Sequence, residues 1–148
     1  MLEFNDVLGI ILSVLFGGIV GLERQIGGKS AGLRTNILIF FGAAIFTVIS
    51  RQMAAENDSV TRIAAQIVTG VGFLGAGAII RDRGGIHGLT TAATIWLVAS
   101  IGTACGAGFY LLACISTFIA VIILMGLKPI ERRMIKYAPK NSSKNATE

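Results

Sequence analysis

The sequence predicts an all-α fold: a polytopic membrane helix bundle of about five transmembrane helices, with the N-terminus outside and the C-terminus cytoplasmic. Three observations predict it. Of 148 residues, 53% are hydrophobic and only 14% are charged, and the mean hydropathy is +0.75, whereas soluble domains carry about 25% charged residues. The charges stand in short groups between uncharged runs long enough to cross a bilayer. The basic residues also segregate onto alternate connections. Together these exclude a disordered chain, a disulfide scaffold and most soluble enzymes.

A bilayer core of roughly 30 Å takes about 20 helical residues. The first apolar run, 7–22, stops at Glu23 and Arg24. Glu3 and Asp6 precede it with no Lys or Arg, the reverse of a signal peptide's basic lead, so it reads as a retained helix. The second run covers 35–50 and ends at Arg51, and the third covers 63–80 and ends at Arg81-Asp82-Arg83. Residues 89–127 form 39 positions without a charge, which is two spans, and Gly102, Gly106 and Gly108 mark the expected turn between them.

Five spans place Arg24, Lys29, Arg34, Arg81, Arg83, Lys128, Arg132, Arg133, Lys136, Lys140 and Lys144 on one side, leaving only Arg51 and Arg62 of the 13 basic residues on the other. The positive-inside rule makes the crowded side cytoplasmic. Six of those residues follow the last apolar run, so the pI of about 9.7 belongs to a membrane-anchored tail and not to a nucleic-acid surface. The division is thus a transmembrane domain over 1–130 and a basic tail over 131–148, whose stretch 138–148, rich in Asn, Ser and Lys, is expected to be disordered. Cys105 and Cys114 lie in apolar sequence and read as packing residues.

The third run holds Gly70, Gly72, Gly75 and Gly77. The first three match G-x-G-x-x-G, but no strand precedes them and the run is of membrane length, so close helix packing is the better reading. Glycines pointing in several directions place this helix at the centre of the bundle. Ser13, Gly17 and Gly21 form a second close-packing stripe, every four residues. Gln66 and Thr69 are the most polar side chains away from the membrane edges. Gln66 reads either as an interhelical hydrogen bond or as the lining of a polar path. No carboxylate, lysine or histidine stands near the middle of any span, where ion pathways usually carry ionisable groups.

Glu23, Arg24, Arg34, Arg81, Asp82 and Arg83 share one membrane face by topology. Mutual pairing of Glu23 and Asp82 with these arginines would lower the cost of holding them there. The same two carboxylates are the only candidates for a divalent cation, against which the neighbouring arginines compete. His87 has no companion ligand and reads as a loop residue. Thr90 or Thr91 is expected to cap the fourth helix, and Trp96 to pack between helices or face lipid. No nucleophile has a positioned histidine, so an enzyme is not expected, and no cofactor is implied.

Several segments carry a resemblance. Gly21-Leu-Glu-Arg-Gln, Ala31-Gly-Leu-Arg-Thr, Arg62-Ile-Ala-Ala-Gln-Ile-Val-Thr-Gly-Val-Gly-Phe-Leu-Gly-Ala-Gly-Ala-Ile and Gly88-Leu-Thr-Thr-Ala-Ala-Thr-Ile-Trp, in that order, resemble the MgtC/SapB family of bacterial membrane proteins over roughly residues 7–127. The resemblance implies a bacterial plasma-membrane location and a link to magnesium homeostasis and low-magnesium growth. In pathogenic members it also implies survival inside host cells and restraint of the F-type ATP synthase. Longer members append a soluble C-terminal domain, so the function of that domain is not expected of this sequence. The residues carried over from the matched motifs are Glu23, Arg24, Arg34, Thr35, Arg62, Gln66, Asp82, Thr90 and Thr91. Two functions of different class follow. One is a modulator that binds other membrane proteins through glycine-lined helices, and the other is a Mg²⁺ or other cation transporter whose path forms between protomers of a homo-oligomer.

Overall fold

In a computed structural model the chain is described over residues 2–53, 62–83 and 85–137. Five helices follow one another: α1 (Phe4–Ile26), α2 (Leu33–Met53), α3 (Arg62–Gly77), α4 (Leu89–Gly106) and α5 (Tyr110–Tyr137). Between α3 and α4 lies a small antiparallel hairpin, β1 (Ile80–Asp82) and β2 (Gly85–His87), with Arg81 opposite Ile86. The all-α bundle of five helices expected from the sequence is the observed one. Four of them, α1, α2, α4 and α5 as far as Pro129, are apolar and long enough to cross a bilayer. The third has 16 residues, roughly 24 Å at 1.5 Å per residue. It stops short of the expected 63–80 because the chain turns at Ala78 and Ile79 into the hairpin.

Neighbouring helix ends are held by local chemistry. The Asp6 carboxylate accepts the Glu3 backbone N–H at 3.1 Å, satisfying one orphan donor at the start of α1. Gln25 Oε1 accepts the Leu33 N–H at 3.3 Å, while Asn36 Nδ2 donates to the carbonyls of Ala31 and Gly32, both at 2.8 Å. These bonds set the short turn between α1 and α2. The α4–α5 turn sits at Ala107 and Gly108, whose φ of +85° suits a residue without a Cβ. Gly102 and Gly106, expected in that turn, are instead inside α4 and pack on α2.

The centre of the bundle is α1, α2 and α4. Val20, Phe40, Ala44, Val98, Ile101 and Cys105 form its buried core, joined by Ala113 of α5. Half of the apolar window of α4 is buried against 17% of that of α5, so α4 is the central helix and α5 an outer one. Glycines set the spacing. A Cβ at Gly17 would lie 2.9 Å from the Ile37 Cα, and one at Gly21 would lie 2.9 Å from the Leu33 Cα. Gly9 abuts the Cys105 carbonyl in the same way. The α1 stripe read from the sequence is therefore a real interface, and Gly9 extends it by one turn.

The expected central position of α3 is corrected. Among the residues of this helix whose burial is described, only Val71 and Gly75 are buried, Phe73 is 82% exposed, and a Cβ at Gly70, Gly72 or Gly77 would meet nothing within 4 Å. Of the four glycines assigned to packing here, Gly75 alone touches a neighbour, with Ala92 3.6 Å from its Cβ position. Lipid solvates apolar residues as well as a protein core does, so an apolar helix in a membrane need not be central. The membrane-length apolar part of α5 ends at Pro129, and the helix continues to Tyr137; residues 138–148 lie outside the described residues.

Candidate functional site

Charged side chains gather at the two ends of the bundle, where helices cross close to one another. At one end the C-terminus of α1 meets the N-termini of α2 and α4 and the Lys128 turn of α5. Arg24 is 1% exposed and its Nη2 donates to Thr91 Oγ1 at 3.0 Å. Glu23 is buried beside it, and its Oε1 accepts from Lys128 Nζ. Helices remote in sequence are thereby fastened together, α1 to α4 by one bond and α1 to α5 by the other. Glu23 Oε2, Arg24 Nε and Asn36 Oδ1 are buried without a protein partner among the described residues.

The arrangement departs from expectation at Glu23, at His87 and at the start of α4. Glu23 pairs with Lys128, a residue 105 positions away, and not with Arg34, Arg81 or Arg83. Asp82 stands on the exposed hairpin, 3.5 Å from His87 Nε2, so the histidine read as a plain loop residue faces a carboxylate. Neither Thr90 nor Thr91 caps α4: the N-cap is Gly88, at φ +88°, and a Cβ there would collide with the Ala78 carbonyl oxygen. Thr91 instead receives Arg24, while Thr90 is exposed. Among the described residues no group of three His, Cys, Asp or Glu side chains could hold a metal ion. Glu23 is engaged by an ammonium group, which leaves a poor divalent-cation ligand.

At the opposite end Asp6 is buried and accepts from Arg51 Nη1 at 3.1 Å and from Gln52 Nε2 at 2.8 Å. Arg51 also donates to the Gly106 carbonyl at 3.1 Å, and the Tyr110 hydroxyl donates to the Asn5 carbonyl. One carboxylate thus ties the start of α1 to the end of α2, and Arg51 ties both to the end of α4. Sequence reasoning missed this cluster. Its signal was the presence of opposite charges, Asp6 and Arg51, on the side that holds only two of the 13 basic residues.

Between the two ends a groove of about 940 Å³ opens along α2 and α3, floored by Ile95 of α4. Its walls are apolar apart from Ser30, Thr35 and Gln66. Gln66 is exposed, and the expected interhelical hydrogen bond from it is not seen among the described residues. Arg34 is exposed beside the groove's Thr35. Arg62 opens α3, and its side chain lies outside the described residues. Trp96 is 55% exposed and faces outward, and Cys105 and Cys114 are free thiols.

Charge confined to two interlocked ends, with apolar helices between them, defines a polytopic membrane protein. Comparison with known proteins narrows the class. The model of the MgtC family matches residues 10–133. Protein MgtC of Salmonella typhimurium (strain LT2) is 44% identical over 134 residues, covering 90% of this chain and 57% of that protein. Protein MgtC of Brucella abortus (strain 2308) is 46% identical over 116 residues, 78% of this chain and 48% of its own length. The chain belongs to the MgtC family. It spans about half the length of the curated relatives it matches, and no solved structure matches it.

Proposed function

We propose that this chain is a bacterial inner-membrane protein of MgtC type, linked to magnesium homeostasis and growth at low magnesium, that acts by modulating membrane-protein partners. The observation that carries this reading is the closed interior of the protomer. Val20, Phe40, Ala44, Val98 and Ile101 fill the space between the polar ends. The buried hydroxyls there are spent on their own helices: Ser13 Oγ donates to Ile10 O at 2.7 Å and Thr47 Oγ1 to Ala43 O at 2.7 Å. An ion crossing one protomer would find no ionisable ligand at depth. The outward helix faces, in contrast, offer broad apolar surface for lipid and for other membrane proteins. The F-type ATP synthase is the partner that the family resemblance implies, and catalysis has no part in this reading.

Purified protein in liposomes loaded with a Mg²⁺ indicator is expected to give no influx above protein-free vesicles at any protein-to-lipid ratio. Influx that scales with protein would establish the transporter reading, with its path between protomers. The proposed orientation has its own check. Single cysteines at Ser59 and Lys140, in a chain lacking Cys105 and Cys114, are expected to react with an impermeant thiol reagent from outside only at position 59. The opposite pattern reverses the orientation.

A further inference from the structure

We infer that the groove along α2 and α3 is a site for an anionic phospholipid, with an acyl chain between the two helices and the phosphate at the end that holds Ser30 and Thr35. The cationic groups beside the groove are gathered at that end. Ser30 and Thr35 line it together with Gly77 and Ala78 at the close of α3. Lys29 and Arg34 adjoin those two hydroxyls in sequence, and both are exposed. Arg34 stands four residues before Leu38 and eight before Gly42, both groove residues, which places it on the groove side of α2. The same end is where α2 begins, with the partial positive charge of a helix N-terminus. It is also where the chain leaves Ala78 for the exposed hairpin that carries Arg81 and Arg83. Of the carboxylates at this end, Glu23 is held by Lys128 and Asp82 stands beside His87. The mouth of the groove is therefore cationic and complements an anionic headgroup.

Length selects an acyl chain as the rest of the ligand. Beyond the mouth the walls are Leu38, Ile39, Phe46, Ile67 and Leu74 over a floor of Ile95, so a chain lying there is enclosed on three sides. From Gln66 to Gly77 α3 advances roughly 17 Å, and from Thr35 to Phe46 α2 advances roughly the same, at 1.5 Å per residue. That is close to the depth of a single leaflet, about 15 Å, and well short of the roughly 30 Å that a spanning helix of a partner or of a second copy has to cover. Gln66 sets the limit, because hydrocarbon packed over its amide would leave two donors and an acceptor without partners. A soluble phosphate would fit the mouth and leave the apolar walls bare, whereas an uncharged lipid would leave the cations unanswered. The inference needs only that this end lie at headgroup level. It holds for either orientation, and whether the protein modulates a partner or conducts an ion.

The test uses the full chain in detergent, with bound lipid read by native mass spectrometry. Phosphatidylglycerol is expected to be retained in preference to phosphatidylcholine of the same acyl chains. Arg34→Gln should weaken retention of phosphatidylglycerol roughly fivefold, the effect of one basic residue near an anionic surface, and leave phosphatidylcholine unchanged. Gly42→Leu with Gly70→Leu fills the groove at two positions where a Cβ meets nothing within 4 Å, so retention should be lost while thermal unfolding stays that of the unaltered chain. Gly18→Leu, an equally open site on α1, is the control and should keep the lipid. Photolabelling needs no substitution: phosphatidylglycerol with a diazirine at the end of its acyl chain is expected to label α3 around Gln66 and α2 around Phe46, and to spare the exposed Leu15 of α1 and Ile119 of α5. Equal retention of the two lipids, retention indifferent to Arg34→Gln or to the paired leucines, or label spread evenly over α1, α3 and α5 would each overturn the proposal. A chain that keeps no lipid and forms dimers abolished by the paired leucines would overturn it in favour of a second copy in the groove.

Discussion

Gly102→Val and Gly106→Val, made together, are expected to prevent the bundle from assembling. At Gly102 a Cβ would collide with the Phe40 carbonyl oxygen and lie 3.0 Å from both the Phe40 Cα and the Ala43 Cβ. At Gly106 it would collide with the Ala44 carbonyl oxygen and lie 2.8 Å from the Thr47 Cβ. The obstructing atoms are mostly backbone, which cannot swing aside as a side-chain tip does. Valine adds two more carbons at each site, so α2 and α4 must separate along the seam that carries Phe40, Ala44, Val98 and Ile101. Overpacking costs about 1–3 kcal/mol per site, and the two sites share one interface, so their effects should reinforce each other. Gly18→Val is the matched control, because a Cβ there meets nothing within 4 Å. Thermal unfolding in detergent, followed by size exclusion, should show a large drop in midpoint for the double variant and almost none for Gly18→Val. Equal behaviour of the two would mean that α2 and α4 do not touch as described.

Arg24→Ala is expected to be the most damaging single truncation at the charged end. It empties the volume of the largest fully buried side chain in the bundle and removes the donor held by Thr91 Oγ1. A hydrogen bond to a charged group contributes about 1.5–3 kcal/mol, and the cavity left by the truncated side chain adds to that loss. Arg24→Met makes the informative contrast. A buried charge replaced by an apolar chain of similar length is often neutral or stabilising, because desolvation of the ion disappears with it. Methionine at this position should therefore keep most of the thermal stability that alanine loses. If Arg24→Met folds and yet fails to restore growth of a deletion strain at low magnesium, the guanidinium itself is needed for function. If Arg24→Met unfolds as readily as Arg24→Ala, the Arg24–Thr91 bond is a main structural tie.

The helix count and the α1 stripe were legible because they depend on local pattern. Runs of membrane length announce spans, and Ser13, Gly17 and Gly21 recur at a helical interval whatever they pack against. The location of α3 was not legible. In water an apolar, glycine-rich helix has to be covered, but in lipid the same composition serves at the centre or at the edge, and Gly70 and Gly77 look identical in either place. The charged ends were half legible. Topology put Glu23, Arg24 and Lys128 on one face, yet the choice of Lys128 for Glu23, and of Thr91 for Arg24, depends on which helices adjoin. Asp6 and Arg51 are 45 positions apart, and nothing local to either residue names the other.

The direct packing of α2 on α4 has a consequence for how the chain is threaded. Both helices begin at the end of the bundle that holds Arg24 and finish at the end that holds Arg51, so they are parallel neighbours. A chain cannot lay two parallel helices side by side without a return stroke, and α3 with its hairpin is that stroke. It does for this bundle what the crossover connection does for two parallel strands in a sheet. A return stroke is judged by where it delivers the chain and not by how much of itself it hides. That frees α3 to be short and rich in glycine, and it leaves one face of an otherwise closed bundle unassigned by the fold.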